Sequence, residues 1–131
     1  MIDVPKRNLK LTSLWGAYAI CQLDPQKSPP EWVFKGDIYS ITRTPEELSI
    51  ICLHEQIPEH IPCQPGWRAL KVEGPFNFDE IGVLASLTAP LAAAQISLLT
   101  SSTFDTDYIF IQDVNYNQAL KALRAAGHHI E

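Results

Sequence analysis

Short apolar runs separated by proline and glycine turns fill the first half of the chain. Runs at residues 17–23, 38–42 and 48–53 are rich in β-branched and aromatic residues and predict three strands. The last two flank a tight turn at residues 44–47, so we expect an antiparallel hairpin. Residues 28–32 predict one short helical turn, because proline is tolerated at a helix start.

A proline-rich stretch interrupts this pattern. Three prolines lie within residues 54–66, which end at a glycine. Because proline has no N–H to donate to a neighbouring strand, the stretch predicts an extended connector. We place the boundary between two units there, at residues 1–65 and 66–131.

The second half has a mixed pattern of strands and helices. In two segments the apolar residues recur with helical spacing, and elsewhere they form short continuous runs. The predicted elements are, in order, a strand at 67–73, a helix at 79–94, strands at 96–101 and 108–111, and a helix at 116–126. This order lacks one strand of a ferredoxin-like β-α-β-β-α-β unit, and residues 9–13 are the candidate to supply it.

Two residues bear on the first predicted helix. Asp79 is expected to be its N-cap, since a carboxylate accepts hydrogen bonds from the unpaired amides of a first turn. Pro90 lies inside the helix and predicts a kink or a local break.

The two halves also resemble each other. Residues 42–51 align with residues 102–111 when the sequence is shifted by sixty positions. Each segment has a hydroxyl residue at the end of one strand, then a tight turn, an acidic residue and an apolar strand. The chain is therefore predicted to be an α+β protein of two related units.

Composition excludes several classes of protein. With 46% hydrophobic residues among 131, the chain buries enough apolar surface to fold, and it has no apolar run long enough to cross a membrane. Ten basic residues, scattered along the chain, against fifteen acidic ones argue against nucleic acid as a partner. The odd cysteine count, Cys21, Cys52 and Cys63, favours reduced thiols in a cytoplasmic protein.

No metal, cofactor or catalytic centre is predicted. His54, His60 and Cys63 do not have the close paired spacing of a zinc site, and His128 and His129 are expected to form an exposed, frayed end. The sequence contains no glycine-rich phosphate loop and no nucleophile elbow.

Four segments carry a resemblance to a known family. Residues 66–75 (GWRALKVEGP), 81–87 (IGVLASL) followed by AQIS, 101–109 (SSTFDTDYI) and 39–49 (YSITRTPEELS) resemble small bacterial tandem ACT-domain proteins. These are similar to the amino-acid-sensing branch that includes arginine sensors and the regulatory parts of aspartate kinases. The resemblance covers about residues 16–127, with two departures. Gln95 replaces a usual glycine, and the first half has only a short helix.

The resemblance implies tandem ferredoxin-like units with antiparallel sheets and helices on one face. It implies a non-catalytic regulatory protein that binds a free amino acid at the interface of the units, forms a homodimer and acts on a regulated protein. The residues it places around the ligand are Asp79, Ile81, Gly82, Val83, Ser101, Ser102, Thr103, Phe104, Asp105, Thr106, Asp107, Thr42, Arg43 and Thr44. A protein-interaction module with a degenerate pocket and a small enzyme of ferredoxin-like fold are the alternatives.

Physical chemistry is compatible with this site. A helix N-terminus attracts a carboxylate, and Gly82 would let a ligand approach the first turn. Asp107 or Asp105 can accept from an ammonium group, with Ser102 and Thr103 completing the hydrogen bonds. The structural alternatives are that Asp79 is only a cap, that Gly82 only allows close packing and that Asp105 is only a turn residue. Asp107 begins a strand, where aspartate is disfavoured, and is therefore the strongest candidate.

Overall fold

Residues 7–131, which the computed structural model describes, form eight strands and two helices. The strands are β1 (Lys10–Ser13), β2 (Tyr18–Leu23), β3 (Ser40–Arg43), β4 (Leu48–Leu53), β5 (Gln64–Val72), β6 (Leu99–Ser102), β7 (Asp107–Gln112) and β8 (His129–Ile130), and the helices are α1 (Val83–Ala93) and α2 (Tyr116–Ala125). Short 3-10 turns occupy Glu31–Lys35, His54–Gln56 and Asp113–Asn115. Neither helix is long and apolar enough to cross a membrane.

Contacts divide the chain into two compact units. The helical unit comprises the described residues up to Trp15 together with residues 68–131, and the strand unit comprises residues 16–67. The strand β5 contributes its first residues to the strand unit and its remainder to the helical unit. The sequence placed the boundary at residues 65 and 66, two residues before the observed division.

The helical unit has the expected ferredoxin-like arrangement. Within it, β1 and β7 flank β5, β6 pairs with β7, and β8 pairs with β1. The predicted strand at residues 9–13 is confirmed, because β1 runs antiparallel to β5 with Leu11 opposite Val72. An all-antiparallel sheet was expected, but β8 runs parallel to β1.

Both helices pack against one face of this sheet. Alternate residues of β5 and β7 point into a core that also contains residues spaced by three or four on each helix. Its fully buried members are Leu11, Leu70, Val72, Leu87, Leu91, Ile109, Ile111, Ala119 and Leu123.

The strand unit contains no α-helix among its described residues. The predicted hairpin is confirmed: β3 and β4 run antiparallel with Arg43 opposite Leu48. Along its length, β2 pairs with β4. Because no long helix covers this sheet, Val33 of the 3-10 turn Glu31–Lys35 is buried in the core beside Ile50 and Cys52.

The proline connector is shorter than expected, because β5 already begins at Gln64. The register between β2 and β5 shifts by one residue between the pairs Ile20–Gln64 and Tyr18–Trp67. Pro65 and Gly66 lie at this bulge, where a residue needs no ladder hydrogen bond and where Gly66 adopts a φ of 85°. A proline is therefore accommodated within a strand.

The expectation of a frayed end was wrong, as was the expected exposure of His128, whereas His129 is exposed as expected. His129 lies in β8, and His128 is only 5% exposed. The imidazole Nδ1 of His128 accepts a hydrogen bond from the Leu9 amide at 3.0 Å, and Nε2 donates to the Ser86 carbonyl at 2.7 Å. The neutral ring thus joins β8, the chain before β1 and α1.

The contact with Ser86 also explains how α1 continues through Pro90. In an uninterrupted helix, the amide of residue 90 would donate to the carbonyl of residue 86, but proline has no N–H. His128 Nε2 donates to that carbonyl instead. The helix extends to Ala93 without the local break that the sequence allowed.

Candidate functional site

A cleft of about 330 Å³ lies in the helical unit, between the start of α1 and the turn that joins β6 to β7. It brings together residues far apart in sequence, including most of those that the sequence singled out. The residues lining it are Phe76, Asn77, Phe78, Glu80, Gly82, Val83, Leu84, Ala85, Ser102, Thr103, Phe104, Asp105, Thr106 and Asp107.

The first wall of the cleft is the start of α1, which differs from the predicted start. Asp79 is exposed and is not the N-cap, because the helix begins at Val83 and its N-cap is Gly82. Residues before it form a separate turn, in which the Glu80 amide donates to the Asn77 carbonyl at 3.1 Å. Gly82 has a φ of 88°, a left-handed conformation that glycine adopts without strain.

No described side chain caps the first turn of α1. The first amides of a helix have no partner within it and carry a partial positive charge. Val83, Leu84 and Ala85 all line the cleft, so this end of the helix faces it. Its first amides can therefore bind an anion there.

Arg7 holds this wall in place from outside the cleft. Its Nε donates to the Ile81 carbonyl at 2.8 Å, and its guanidinium lies 3.3 Å from the Glu80 carboxylate. The hydroxyl of Ser86 donates to the Gly82 carbonyl at 2.6 Å and accepts from the Arg7 amide at 3.3 Å. The sequence did not identify Arg7, because its partners are more than seventy residues away and no local pattern links them.

Replacing Arg7 with alanine is expected to lower the free energy of unfolding by about 1 kcal/mol, since a half-exposed, charge-assisted contact is partly screened by solvent. Hydrogen exchange of the amides of residues 81–86 should accelerate, because the Ile81 carbonyl loses its partner. Urea unfolding and exchange mass spectrometry would measure both effects. Lys121→Ala on the exposed side of α2 is the control, and equal effects of the two substitutions would contradict the role assigned to Arg7.

The second wall is the turn between β6 and β7. Ser102 Oγ donates to Asp107 Oδ1 at 2.5 Å, across the last pair of the two strands. Thr103 and Thr106 bond to each other, and the Thr106 hydroxyl donates to the Val72 carbonyl of β5. The two threonines therefore fix the turn, while the half-buried Asp107 carboxylate can accept further hydrogen bonds.

The segment after β5 anchors this turn. Phe76 donates its amide to the Asp105 carbonyl at 2.8 Å, and a Cβ on Gly74 would lie 2.8 Å from the same oxygen. Gly74 therefore allows the close approach that positions Asp105.

Aromatic rings and carboxylates give the cleft its chemical character. Phe78 and Phe104 are 78% and 79% exposed and meet edge to face, with ring centroids 5.0 Å apart. Glu80, Asp105 and Asp107 provide three carboxylates, while no lysine, arginine or histidine is among the described residues that line the cleft. The sequence missed six lining residues, Phe76, Asn77, Phe78, Glu80, Leu84 and Ala85. The closely spaced aromatic residues after Pro75 were the available signal for two of them.

Other candidates do not line this cleft. Three of them, Asp79, Ile81 and Ser101, are adjacent in sequence to residues that line it, and Ile81 is exposed. Arg43 and Thr44 lie beside a separate depression in the strand unit.

Hydrogen bonds explain the structural roles of these residues in the strand unit. The Arg43 guanidinium donates to the carbonyls of Pro25 and Lys27, the latter at 2.7 Å. Thr44 Oγ1 accepts from the amides of Glu46 and Glu47. Thr42 pairs with Ser49 in the hairpin. Arg43 and Thr44 thus stabilise a loop and a turn.

Comparisons with known proteins relate both units to existing families. The family model described as an ACT domain matches residues 63–125, and a second model, described as an N-terminal domain, matches residues 16–60. The human protein named cytosolic arginine sensor for mTORC1 subunit 1 is 36% identical over 59 residues, which are 44% of this chain. The match spans only 18% of that sensor.

Solved structures extend the likeness to nearly the whole chain. A crystal structure of a protein from Agrobacterium tumefaciens is 38% identical and superposes with a TM-score of 0.90, covering 95% of this chain and 93% of that one. The aspartate kinase of Clostridium acetobutylicum has a TM-score of 0.60 at 10% identity, covering 95% of this chain and 36% of the kinase, and shows a shared fold.

Proposed function

Because this chain is a member of the ACT-domain family, we propose that it binds a free amino acid and acts as a regulatory protein without catalysing a reaction. One observation carries the proposal. The uncapped first turn of α1 and the Asp107 carboxylate on β7 line the same cleft, so that a group suited to an anion and a group suited to a cation share one volume.

The α-carboxylate of the ligand binds at the start of α1 in this proposal. Its oxygens accept from the amides that follow Gly82, where the helix dipole favours negative charge. Gly82 has no side chain to obstruct the approach, and its positive φ directs the chain into the helix. Arg7 donates to the Ile81 carbonyl and Ser86 donates to the Gly82 carbonyl, so both oxygens already have hydrogen-bond partners.

The α-ammonium group binds Asp107. Ser102 occupies Asp107 Oδ1 and orients the carboxylate, as expected of a group that must be held before the ligand arrives. An ammonium group donates three hydrogen bonds, so Asp105 is available as a second acceptor.

The ligand side chain that suits the remaining lining is cationic. Arg7 pairs with Glu80 from outside the cleft, so Asp105 and Asp107 are the carboxylates that favour positive charge, and exposed phenyl rings attract cations through their faces. The name of the human relative, an arginine sensor, supports the same class. We therefore place arginine first among the amino acids to test, and the three unpaired thiols and that relative's name support a cytoplasmic location.

Isothermal titration with arginine and with citrulline tests both parts of the proposal, because citrulline is nearly isosteric and neutral. Arginine is expected to bind more tightly than citrulline. Asp107→Asn should weaken arginine binding by about 1–3 kcal/mol, the cost of losing a charge-assisted hydrogen bond. Asp113→Asn is the matched control, since it removes the same charge at a carboxylate that pairs with Arg68 outside the cleft.

The outcomes separate the parts of the proposal. Equal binding of arginine and citrulline would contradict the cationic class but keep the amino-acid site. A complete panel of amino acids without binding would contradict the regulatory site. Urea unfolding of Asp107→Asn must match the wild type for the binding loss to count.

A second candidate function is protein interaction through the rim of the cleft. Phe78 and Phe104 are both exposed there and meet edge to face, and apolar side chains close together on a surface favour docking. The homodimer and the regulated partner stay predictions of the family resemblance. Size-exclusion chromatography with light scattering, with and without arginine, would measure the oligomeric state.

A further inference from the structure

All three cysteines of the chain contribute to one core in the strand unit. Cys21 on β2 and Cys52 on β4 are buried members of that core, and Cys63, immediately before β5, is half-buried and packs against it. Cys21 and Cys63 also line one cleft with Ile20 and Gln64. One thiol is therefore accessible to a reagent, with a buried thiol beside it.

The strand register sets which two thiols can meet. Ile20 pairs with Gln64, the first residue of β5, in the antiparallel ladder. Extending this register by one residue brings Cys21 opposite Cys63, which directly precedes β5. Directly opposed residues share one face of a sheet, with Cα atoms about 4.5–5.5 Å apart, within the range that a disulfide spans.

The other buried pair does not meet this requirement. Cys52 lies opposite Ala19, and Cys21 lies opposite Ile50, so Cys21 and Cys52 are diagonal neighbours. Diagonal positions are about 7–8 Å apart, beyond the usual Cα separation of a disulfide. The fold therefore favours one pairing over the other.

From this arrangement we infer that Cys21 and Cys63 form a thiol–disulfide exchange site, which a small-molecule disulfide oxidises to an intramolecular cross-strand disulfide. This inference is independent of the proposed amino-acid site, because all of its residues belong to the strand unit.

The exchange proceeds in two balanced steps. The Cys63 thiolate attacks a glutathione disulfide, forms a mixed disulfide and releases one glutathione thiolate. The Cys21 thiolate then attacks the Cys63 sulfur, forms the internal disulfide and releases the second glutathione. Two electrons pass from the protein to the glutathione disulfide, and the two thiol protons leave with the two glutathione molecules.

Burial assigns the order of these steps. Burial, followed by the influence of Cys63, raises the pKa of Cys21, and burial raises the pKa of Cys52 to about 12. Thiolates are the attacking species, so the half-exposed Cys63 reacts first and Cys21 follows within the mixed disulfide. Cys52 stays a thiol.

The experiment uses the full chain, reduced and then incubated with glutathione disulfide. After quenching with an alkylating reagent, intact mass and a non-reducing peptide map identify the product. The expected product lacks two hydrogens, carries no glutathione and contains a peptide that joins Cys21 to Cys63. Subsequent dithiothreitol treatment should restore all three thiols.

Three variants separate the roles of the cysteines. Cys52→Ala is the matched control and should form the same disulfide, Cys21→Ala should stop at a glutathione adduct on Cys63, and Cys63→Ser should take up no glutathione. A wild type that stops at the adduct, or a map that joins Cys52 to either thiol, would overturn the inference. The wild-type map decides even if a variant fails to fold.

Discussion

Replacing His128 with alanine is expected to lower the free energy of unfolding by about 2–4 kcal/mol, because each buried polar group left without a partner costs roughly 1–3 kcal/mol. The substitution removes the acceptor of the Leu9 amide and the donor to the Ser86 carbonyl at once. The Ser86 carbonyl has no alternative donor in the helix ladder, since residue 90 is proline. Chemical denaturation monitored by tryptophan fluorescence would measure the change.

The adjacent histidine supplies the control. His129 is exposed and lies 3.5 Å from the Glu131 carboxylate, so His129→Ala should change stability by less than about 0.5 kcal/mol, as exposed substitutions do. His128→Gln should recover part of the loss, because its amide offers one acceptor and one donor.

A double-mutant cycle tests the link with proline directly. Pro90→Ala gives residue 90 an amide that can donate to Ser86, so His128→Ala should cost less in that background than in the wild type. Additive effects of the two substitutions would contradict the link and leave only the Leu9 contact.

Replacing Leu87 with alanine should destabilise the protein by about 2–5 kcal/mol, the usual range for a leucine deleted from a core. Leu87 is 0% exposed and lies on the face of α1 that packs over the sheet, in the core that includes Leu70, Ile109 and Leu123. Residues of two helices and a sheet surround the side chain, so little collapse can fill the space. Denaturation and calorimetry would measure the loss.

Leu84→Ala, one turn earlier on α1, is the matched comparison. Its side chain is half-buried and lines the cleft, so its removal should cost clearly less stability. Amino-acid binding should change with Leu84→Ala and persist in folded Leu87→Ala protein. Equal destabilisation by both substitutions would contradict the assigned orientation of the helix.

Local patterns in the sequence predict most of the fold. Short apolar runs rich in β-branched and aromatic residues identify β2, β4 and β7, and helical spacing identifies α2 to within a residue or two. Turn chemistry predicts the hairpin of β3 and β4, because Thr44 is followed by proline and two glutamates that close the turn. The family resemblance of residues 101–107 (SSTFDTD) identified the residues that form the second wall of the cleft.

Features that depend on distant partners could not be predicted. His128 looks like part of a polar tail, and only the fold brings Leu9 and Ser86 to its ring. The role of Arg7 could not be predicted either, because only the fold brings the Ile81 carbonyl to its guanidinium. Asp79 satisfies the rules for an N-cap, but the turn at residues 77–80 and the positive φ of Gly82 delay the helix to Val83.

The end of α1 shows a local rule overridden without loss of structure. Gln95 has a φ of 61°, a left-handed conformation that glycine usually adopts at the end of a helix. The family pattern has glycine at this position. Its amide donates to the Ala92 carbonyl, and the Ile96 amide donates to the Leu91 carbonyl, so the helix ends in the usual hydrogen-bond pattern. The non-glycine residue adopts the conformation at a modest energetic cost.

The pairing of β1 with β8 has a consequence for biosynthesis. Leu11 lies opposite Ile130, so the sheet of the helical unit is complete only after nearly all of the described chain has left the ribosome. Every strand of the strand unit has emerged by residue 67. Because domains fold as units during translation, residues 16–67 are positioned to fold first, while β1 waits unpaired for the segments that complete its sheet.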